Sequence, residues 1–426
     1  MIFFYRILTT LIYPILILVI YYRKIINKED KFRFREKIFP KYFNVKKNDS
    51  SKLLWFHAAS IGELKSIIPI IEEINKKYSF EILITTTTLS SSELAKEKLK
   101  NFSNVYHRFF PVDVFFVIKK FLILWKPSAI FLVDSEIWPN LILGSKEREI
   151  PIALINARIT KKTFNKWMIV PETAKKIFGN FNLCLASNME TKDYLTKLNV
   201  KNNFYTGNIK LYFRDNNYLK NLSDLQISKK NKTWCAISTH IGEEKFCLKT
   251  HLILKKKISN LITFIAPRHT HRIKNIIKLC KKYKLSYQIL NKEENISNNK
   301  EIILINSYGI LSRFFKICCS VFMGKSTLKK LEKVSGQSPI EAANFGCKIY
   351  NGPYVYNFKE IYDIFAERNI TKKIESPEML ATNLQEDFEK KIIHNQQFIS
   401  FVQSLGEKTM VNTMEQIDNF LNYEKV

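Results

Sequence analysis

Leu53-Leu54-Trp55-Phe56-His57-Ala58-Ala59-Ser60-Ile61-Gly62-Glu63 runs from four apolar residues through a small-residue turn into an amphipathic stretch, Leu64 to Lys77. A short apolar run bounded by small residues and followed by helical periodicity reads as a buried strand opening into a helix. The same pattern repeats outward. Glu81-Ile82-Leu83-Ile84 precedes Thr85 to Thr88 and a helical Ser91 to Leu99, and Ala129 to Val133, Ile152 to Ile155, Leu183 to Ala186 and Phe204-Tyr205 continue the series. A polar stretch, roughly Asp215 to Lys232, interrupts it. The alternation then restarts with Thr233 to Ile237, Leu261 to Ala266, Ile302 to Ile305, Ile317 to Met323 and Lys348 to Tyr350, before a charged helical tail from about Pro377. Such alternation builds parallel sheets covered by helices. The expected class is α/β, with two Rossmann-like domains at 28–214 and 233–400, a membrane anchor at 1–24 and a C-terminal helix at 401–426. Ligand is expected in a cleft between the domains, at the carboxyl ends of strands.

The amino end differs in kind. Ile7 to Tyr22 carries no charge, and with Met1 to Tyr5 it can nearly cross a bilayer if Arg6 snorkels. Instead of a small-residue cleavage site, Arg23, Lys24, Lys28, Lys31, Arg33 and Arg35 follow, which predicts an uncleaved anchor with the body of the chain on the cytoplasmic side. Pro14 and the shortness of the run leave an interfacial helix as the alternative to a spanning one. The net charge of +29, from 68 Lys+Arg against 39 Asp+Glu, suits anionic lipid, phosphorylated substrates or RNA. A membrane-tethered RNA-binding protein would interleave basic residues with aromatics on one face, and the sequence holds no such motif. The seven cysteines lack Cys-x-x-Cys spacing and read as buried, reduced thiols.

Candidate chemistry gathers at the ends of the apolar runs. Glu63, at a helix start after a strand, can either complement the helix dipole or deprotonate an acceptor hydroxyl. Asp134-Ser135-Glu136-Ile137-Trp138-Pro139-Asn140 follows another strand; Asp134 or Ser135 is expected to cap the next helix, leaving Glu136 for the site. Asn156-Ala157-Arg158 and Gly207-Asn208-Ile209-Lys210 place cationic and amide groups after later strands, and Lys210 suits a developing phosphate charge. In the second half, Ser238-Thr239-His240-Ile241-Gly242-Glu243-Glu244 and Pro267-Arg268-His269-Thr270-His271-Arg272 suit a phosphate or nucleotide. His240 with His269 and His271 lacks the carboxylate spacing of a metal site. Gly324-Lys325-Ser326-Thr327 imitates the end of a P-loop, but Cys319 stands where that pattern needs glycine. Ser335 to Ala343 offers a turn, a helix start and Glu341, an acid able either to accept ribose hydroxyls or to act in capping.

Taken together, these motifs resemble the transferases of 3-deoxy-D-manno-octulosonic acid (Kdo), glycosyltransferases of lipopolysaccharide biosynthesis. Trp55 to Glu63 is similar to their Trp-x-His-Ala-x-Ser-x-Gly-Glu, and Glu136 to Asn140 to their Glu-x-Trp-Pro-Asn. Asn156-Ala157-Arg158, Gly207 to Lys210, Ser238 to Glu244, Pro267-Arg268-His269, Pro339-x-Glu341, Gly352-Pro353 and Asn357-Phe358 follow in the family's order. The resemblance implies a B-type (GT-B) glycosyltransferase that inverts the anomeric carbon, needs no metal or other cofactor, and moves Kdo from CMP-Kdo to the lipid A precursor lipid IVA. It implies acceptor binding mainly by the first domain and CMP binding mainly by the second, at the bacterial inner membrane and with no nucleic-acid partner. It also implies Glu63 as general base, Glu136 and Lys210 as supports of the transition state, and CMP contacts at Pro267, Arg268, Tyr308, Gly309, Ile310, Ser338, Pro339, Ile340 and Glu341. Ile310 replaces a usual acid, and the turns at Gly324 and Gly336 are poorer in glycine than the family pattern. Another B-type glycosyltransferase with a different nucleotide sugar is the alternative within enzymes.

Overall fold

The computed structural model describes all residues except 44–50, 101, 213–226, 229, 293, 298, 308, 391–392 and 425. Most of the polar boundary stretch therefore lies outside the described residues, as does Tyr308. The chain divides into two compact units: Met1–Tyr212 together with Gly406–Val426, and Phe213–Leu405.

In the first unit seven parallel strands, β1 (Leu53–His57), β2 (Glu81–Thr86), β3 (Val105–Phe109), β4 (Ala129–Val133), β5 (Ile152–Ala157), β6 (Leu183–Ala186) and β7 (Asn203–Tyr205), lie in the order β3-β2-β1-β4-β5-β6-β7. Side chains alternate across the sheet, so Trp55 enters the core on one face with Leu132 and Phe121, while Phe56 enters the other with Phe131 and Ile67. Met410, Met414, Ile417, Phe420 and Leu421 of the last helix (Gln396–Tyr423) complete that second face, with Phe420 in edge contact with Phe131 at 5.6 Å. Burial of each such side chain contributes about 1.5–3 kcal/mol, which ties the end of the chain to the first unit.

The helix Ile2–Ile25 also belongs to this unit. Tyr13 donates its hydroxyl to the Ile38 carbonyl (2.8 Å) and packs edge-on against Phe116, and Ile20 is buried with Phe34 and Ile38. Its opposite side, with Phe3, Leu11, Leu18 and Ile25, is exposed.

The second unit repeats the plan with β8 (Lys232–Thr239), β9 (Leu261–Pro267), β10 (Tyr287–Leu290), β11 (Ile302–Ile305), β12 (Ser320–Met323), β13 (Lys348–Asn351) and β14 (Thr371–Lys373), ordered β10-β11-β9-β8-β12-β13-β14 and all parallel. Trp234, Leu304, Phe322 and Leu380 fill one side of its core. In the first sheet the strand order reverses between β1 and β4; in the second, where β11 inserts between β10 and β9, the corresponding crossing lies between β8 and β12. Loops at the carboxyl ends of the two strands diverge there, which opens a crevice suited to ligand.

Candidate functional site

At the first unit's switch point, β1 ends in His57, which is fully buried and stacked on Phe110 at 3.8 Å. Trp55 Nε1 donates to Thr85 Oγ1 (2.9 Å), and His57 Nδ1 lies within hydrogen-bond distance of both that hydroxyl (3.0 Å) and the Thr85 carbonyl oxygen (3.1 Å). The other ring nitrogen, Nε2, faces Glu136 Oε2 at 3.2 Å. Trp138 Nε1 donates to the same oxygen at 2.8 Å. Glu136 is thus held from two sides by side chains of β1 and of its own loop.

Ser60 caps the helix Ile61–Lys77, accepting from Glu63 N–H. The Glu63 carboxylate reaches back in turn, accepting from Ala59 N–H (2.7 Å) and from Ser60 Oγ (2.7 Å). The exchange is a variant of the capping box in which the carboxylate takes the Ala59 amide and the Ser60 hydroxyl in place of the Ser60 amide. Burial raises the Glu63 pKa above its usual value; the charges of Asp134 and Glu136 add to that rise, while the bonds from Ser60 and Ala59 oppose it. A carboxylate shifted in this direction binds a proton more readily at neutral pH, as a base requires.

Asp134 does not cap the following helix, and neither does Ser135. The helix Pro139–Lys146 starts from Trp138, and its Asn140 and Leu141 N–H groups are accepted by Asp113, a residue that no local motif singles out. Asp134 sits in the left-handed region (φ 63°) and pairs with Lys210 Nζ at 2.6 Å. Asn156, also left-handed, accepts from Ile209 N–H at 3.0 Å and so fixes the turn that carries Lys210. Glu63, Glu136, Asp134 and Lys210 therefore share the carboxyl edge of one sheet.

In the second unit the residues expected near CMP also lie along a carboxyl edge. Pro267 ends β9, and Arg268, exposed, donates its backbone N–H to the Thr239 carbonyl at 3.0 Å. Gly309 (φ 78°) and buried Ile310 follow β11, and Ile310 begins the helix Leu311–Phe315. Ser338 Oγ accepts from Ile340 N–H, Pro339 is the N-cap, and Glu341 lies in the first turn of the helix Ile340–Asn344.

One expectation changes here. The His240 amide of the first turn and three amides of the Gly324–Thr327 turn are taken by Glu243, which is fully buried and accepts from the backbone N–H of His240, Lys325, Ser326 and Thr327 and from Thr327 Oγ1, at 2.6–3.0 Å. Glu244 is buried as well and forms a two-point pair with Arg272. These groups build the scaffold of the edge and are not offered to a phosphate. A Cβ at Gly324 would stand 2.6 Å from the Ser238 carbonyl, so only glycine lets β8 and β12 turns approach this closely. His240, His269 and His271 neighbour one another at ring separations of 6.1 and 5.6 Å, and no cluster of three or more His, Cys, Asp or Glu suited to a metal ion occurs among the described residues.

Two doubly wound units, one with Glu63, Asp134 and Glu136 gathered at its switch point, give the fold of the B-type glycosyltransferases. Solved structures share that fold: UDP-GlcNAc 2-epimerase from Neisseria meningitidis bound to UDP-GlcNAc (TM-score 0.55, 14% identity, 87% of this chain and all of the other) and Anabaena HepE in complex with UDP (TM-score 0.56, 11% identity, 87% and 100%). The family model for 3-deoxy-D-manno-octulosonic-acid transferase (kdotransferase) matches residues 32–213. The Haemophilus influenzae 3-deoxy-D-manno-octulosonic acid transferase is 30% identical over 74% of each chain. The probable mitochondrial transferase of the same name from Arabidopsis thaliana is 30% identical over 86% of this chain and 82% of its own, and that of Aquifex aeolicus 26% over 78% and 85%. The chain belongs to the 3-deoxy-D-manno-octulosonic acid transferase family and is a glycosyltransferase; the RNA-binding alternative is set aside.

Proposed function

We propose that the protein transfers Kdo from CMP-Kdo to a hydroxyl of the lipid A precursor lipid IVA, with inversion, adding one or more residues at the cytoplasmic face of a bacterial inner membrane. The acceptor oxygen bonds to the anomeric carbon, the bond from that carbon to the phosphate oxygen breaks, CMP leaves, and the acceptor proton passes to Glu63. The observation that carries this reading is the half-buried Glu63 carboxylate, raised in pKa, on the same sheet edge as Glu136 and Lys210. Glu136 and Lys210 support the transition state. Pro267, Arg268, Tyr308, Gly309, Ile310 and Ser338 to Glu341 hold CMP, with Arg268 meeting the phosphate charge so that no metal is required.

Membrane association is supported by the apolar helix Ile2–Ile25. In our reading the helix lies along the bilayer surface. One stripe of it packs on the first unit from Tyr5 to Ile20, so crossing the bilayer would carry Asp113, Asn140 and Glu147 into hydrocarbon at high cost. Exposed Phe3, Leu11, Leu18, Phe32 and Phe116 suit acyl chains, and the exposed Lys28, Lys119 and Lys120 suit anionic head groups. The test is incubation of purified protein with lipid IVA and CMP-Kdo, read by mass spectrometry of the lipid. Addition of one or more Kdo masses is expected; turnover with a UDP-sugar and none with CMP-Kdo would overturn the assignment.

A further inference from the structure

The N-terminal helix reaches the carboxylate edge through one buried acid. Asp113 Oδ2 accepts from the Tyr5 hydroxyl (2.9 Å) and from Asn140 N–H (3.1 Å), and Oδ1 accepts from Leu141 N–H (2.9 Å). Its carbonyl accepts from Asn140 Nδ2 (2.6 Å), which also lies 3.3 Å from Thr9 Oγ1 on the N-terminal helix. Asn140 and Leu141 stand in the first turn of the helix Pro139–Lys146, which has no side-chain cap from its own sequence, so Asp113 supplies the cap from another loop. Trp138, the N-cap residue, holds Glu136 Oε2 through its indole N–H and packs on Phe110, three residues before Asp113. Burial pushes the Asp113 carboxyl up to about 6 against the pull of these donors, and the Tyr5 hydroxyl is the one side-chain donor among them.

We propose that Asp113 is a positioning residue through which the docked N-terminal helix fixes the Glu136 loop, so that transfer depends on Tyr5 being seated. The inference rests on the reading of Glu136 given above. With the Tyr5 hydroxyl gone, the carboxylate keeps only the two backbone donors, and the start of the Pro139–Lys146 helix is tied to the N-terminal helix only through the longer Asn140–Thr9 contact. Trp138 then loses its fixed aim at Glu136. A helix seated on lipid would in this way complete the geometry of the site it delivers to the membrane.

The test uses the full-length protein in lipid nanodiscs, with Tyr5→Phe and Asp113→Asn compared by kcat, by KM for CMP-Kdo and by vesicle co-sedimentation. Tyr5→Phe keeps the ring and removes only the hydroxyl; it is expected to lower kcat about tenfold, the worth of one hydrogen bond to a charged group, with KM for CMP-Kdo and vesicle binding unchanged. Asp113→Asn is expected to lower kcat by about tenfold to a hundredfold. In a Glu136→Gln background Tyr5→Phe should add no further loss, a coupling that a merely structural role would not produce. Unchanged kcat in Tyr5→Phe, or equal loss with and without Glu136, overturns the inference. Full turnover by Glu136→Gln alone would instead overturn the reading of Glu136 on which it rests.

Discussion

The two switch points can be laid over one another. After β1 and after β8 the chain makes the same move, a strand ending in a turn of small and polar residues that opens a helix with a glutamate in its first turn. In the first unit that glutamate, Glu63, accepts from Ala59 N–H and Ser60 Oγ among the described residues and is half-buried. In the second, Glu243 is fully buried and accepts from four backbone N–H groups and one hydroxyl. Topology places both carboxylates at the crevice, and the number of donors aimed at each separates a group available to a substrate from one that holds two turns together. A carboxylate whose acceptor sites are filled by fixed donors has nothing left for chemistry.

The comparison breaks most readily at Glu243. Glu243→Ala leaves several buried donors unpaired and is expected to destabilise the second unit by about 3–5 kcal/mol, read as a lowered midpoint in denaturant. A loss under 1 kcal/mol would mean the turns hold themselves. Next in size, Trp138→Phe removes one donor from Glu136 and is expected to cost about 1.5–3 kcal/mol of transition-state stabilisation, a fall of roughly tenfold to a hundredfold in kcat with little change in Tm.

A pH profile sharpens the contrast further. Because the folded Glu63 pKa is raised, the folded state favours its protonated form. Its contribution to stability is present below the unfolded pKa and is lost as pH rises through the folded one. Activity runs the other way: the base must be ionised, so the acid limb of kcat should fall at a pH above the ordinary glutamate value of 4.5 and disappear in Glu63→Gln. The smallest effect is expected at the last helix, where Lys77 and Asp418 form an exposed pair at 2.6 Å. Lys77→Ala should cost about 0.2–1 kcal/mol and leave transfer unchanged.

The central strands of both sheets are legible in the sequence because each is a nearly unbroken apolar run. β3, β10 and β14 are not, and all three are edges: Val105-Tyr106-His107-Arg108-Phe109, Tyr287 to Leu290 and Thr371-Lys372-Lys373 keep polar residues where one side has no neighbour. Motif residues were legible as positions at strand ends, yet their partners were not. Reading Asp134 as a cap followed its proximity to the next helix, whereas the fold pairs it with Lys210, 76 residues away, and gives the cap to Asp113. Glu243 carried a signal that could have been used, since a glutamate three residues after His240 at a helix start marks a box-like cap. That its oxygens also reach Lys325, Ser326 and Thr327 depends on β8 and β12 being neighbours, which no local pattern encodes.

The most direct test of the account is single-turnover transfer by Glu63→Gln with CMP binding measured on the same sample. The expected result is a fall in kcat of about a hundredfold to ten-thousandfold with CMP affinity and Tm near those of the unaltered protein. Transfer near the unaltered rate, or a loss explained by unfolding, would return Glu63 to a capping role like that of Glu243 and contradict the proposed division of work between the two switch points.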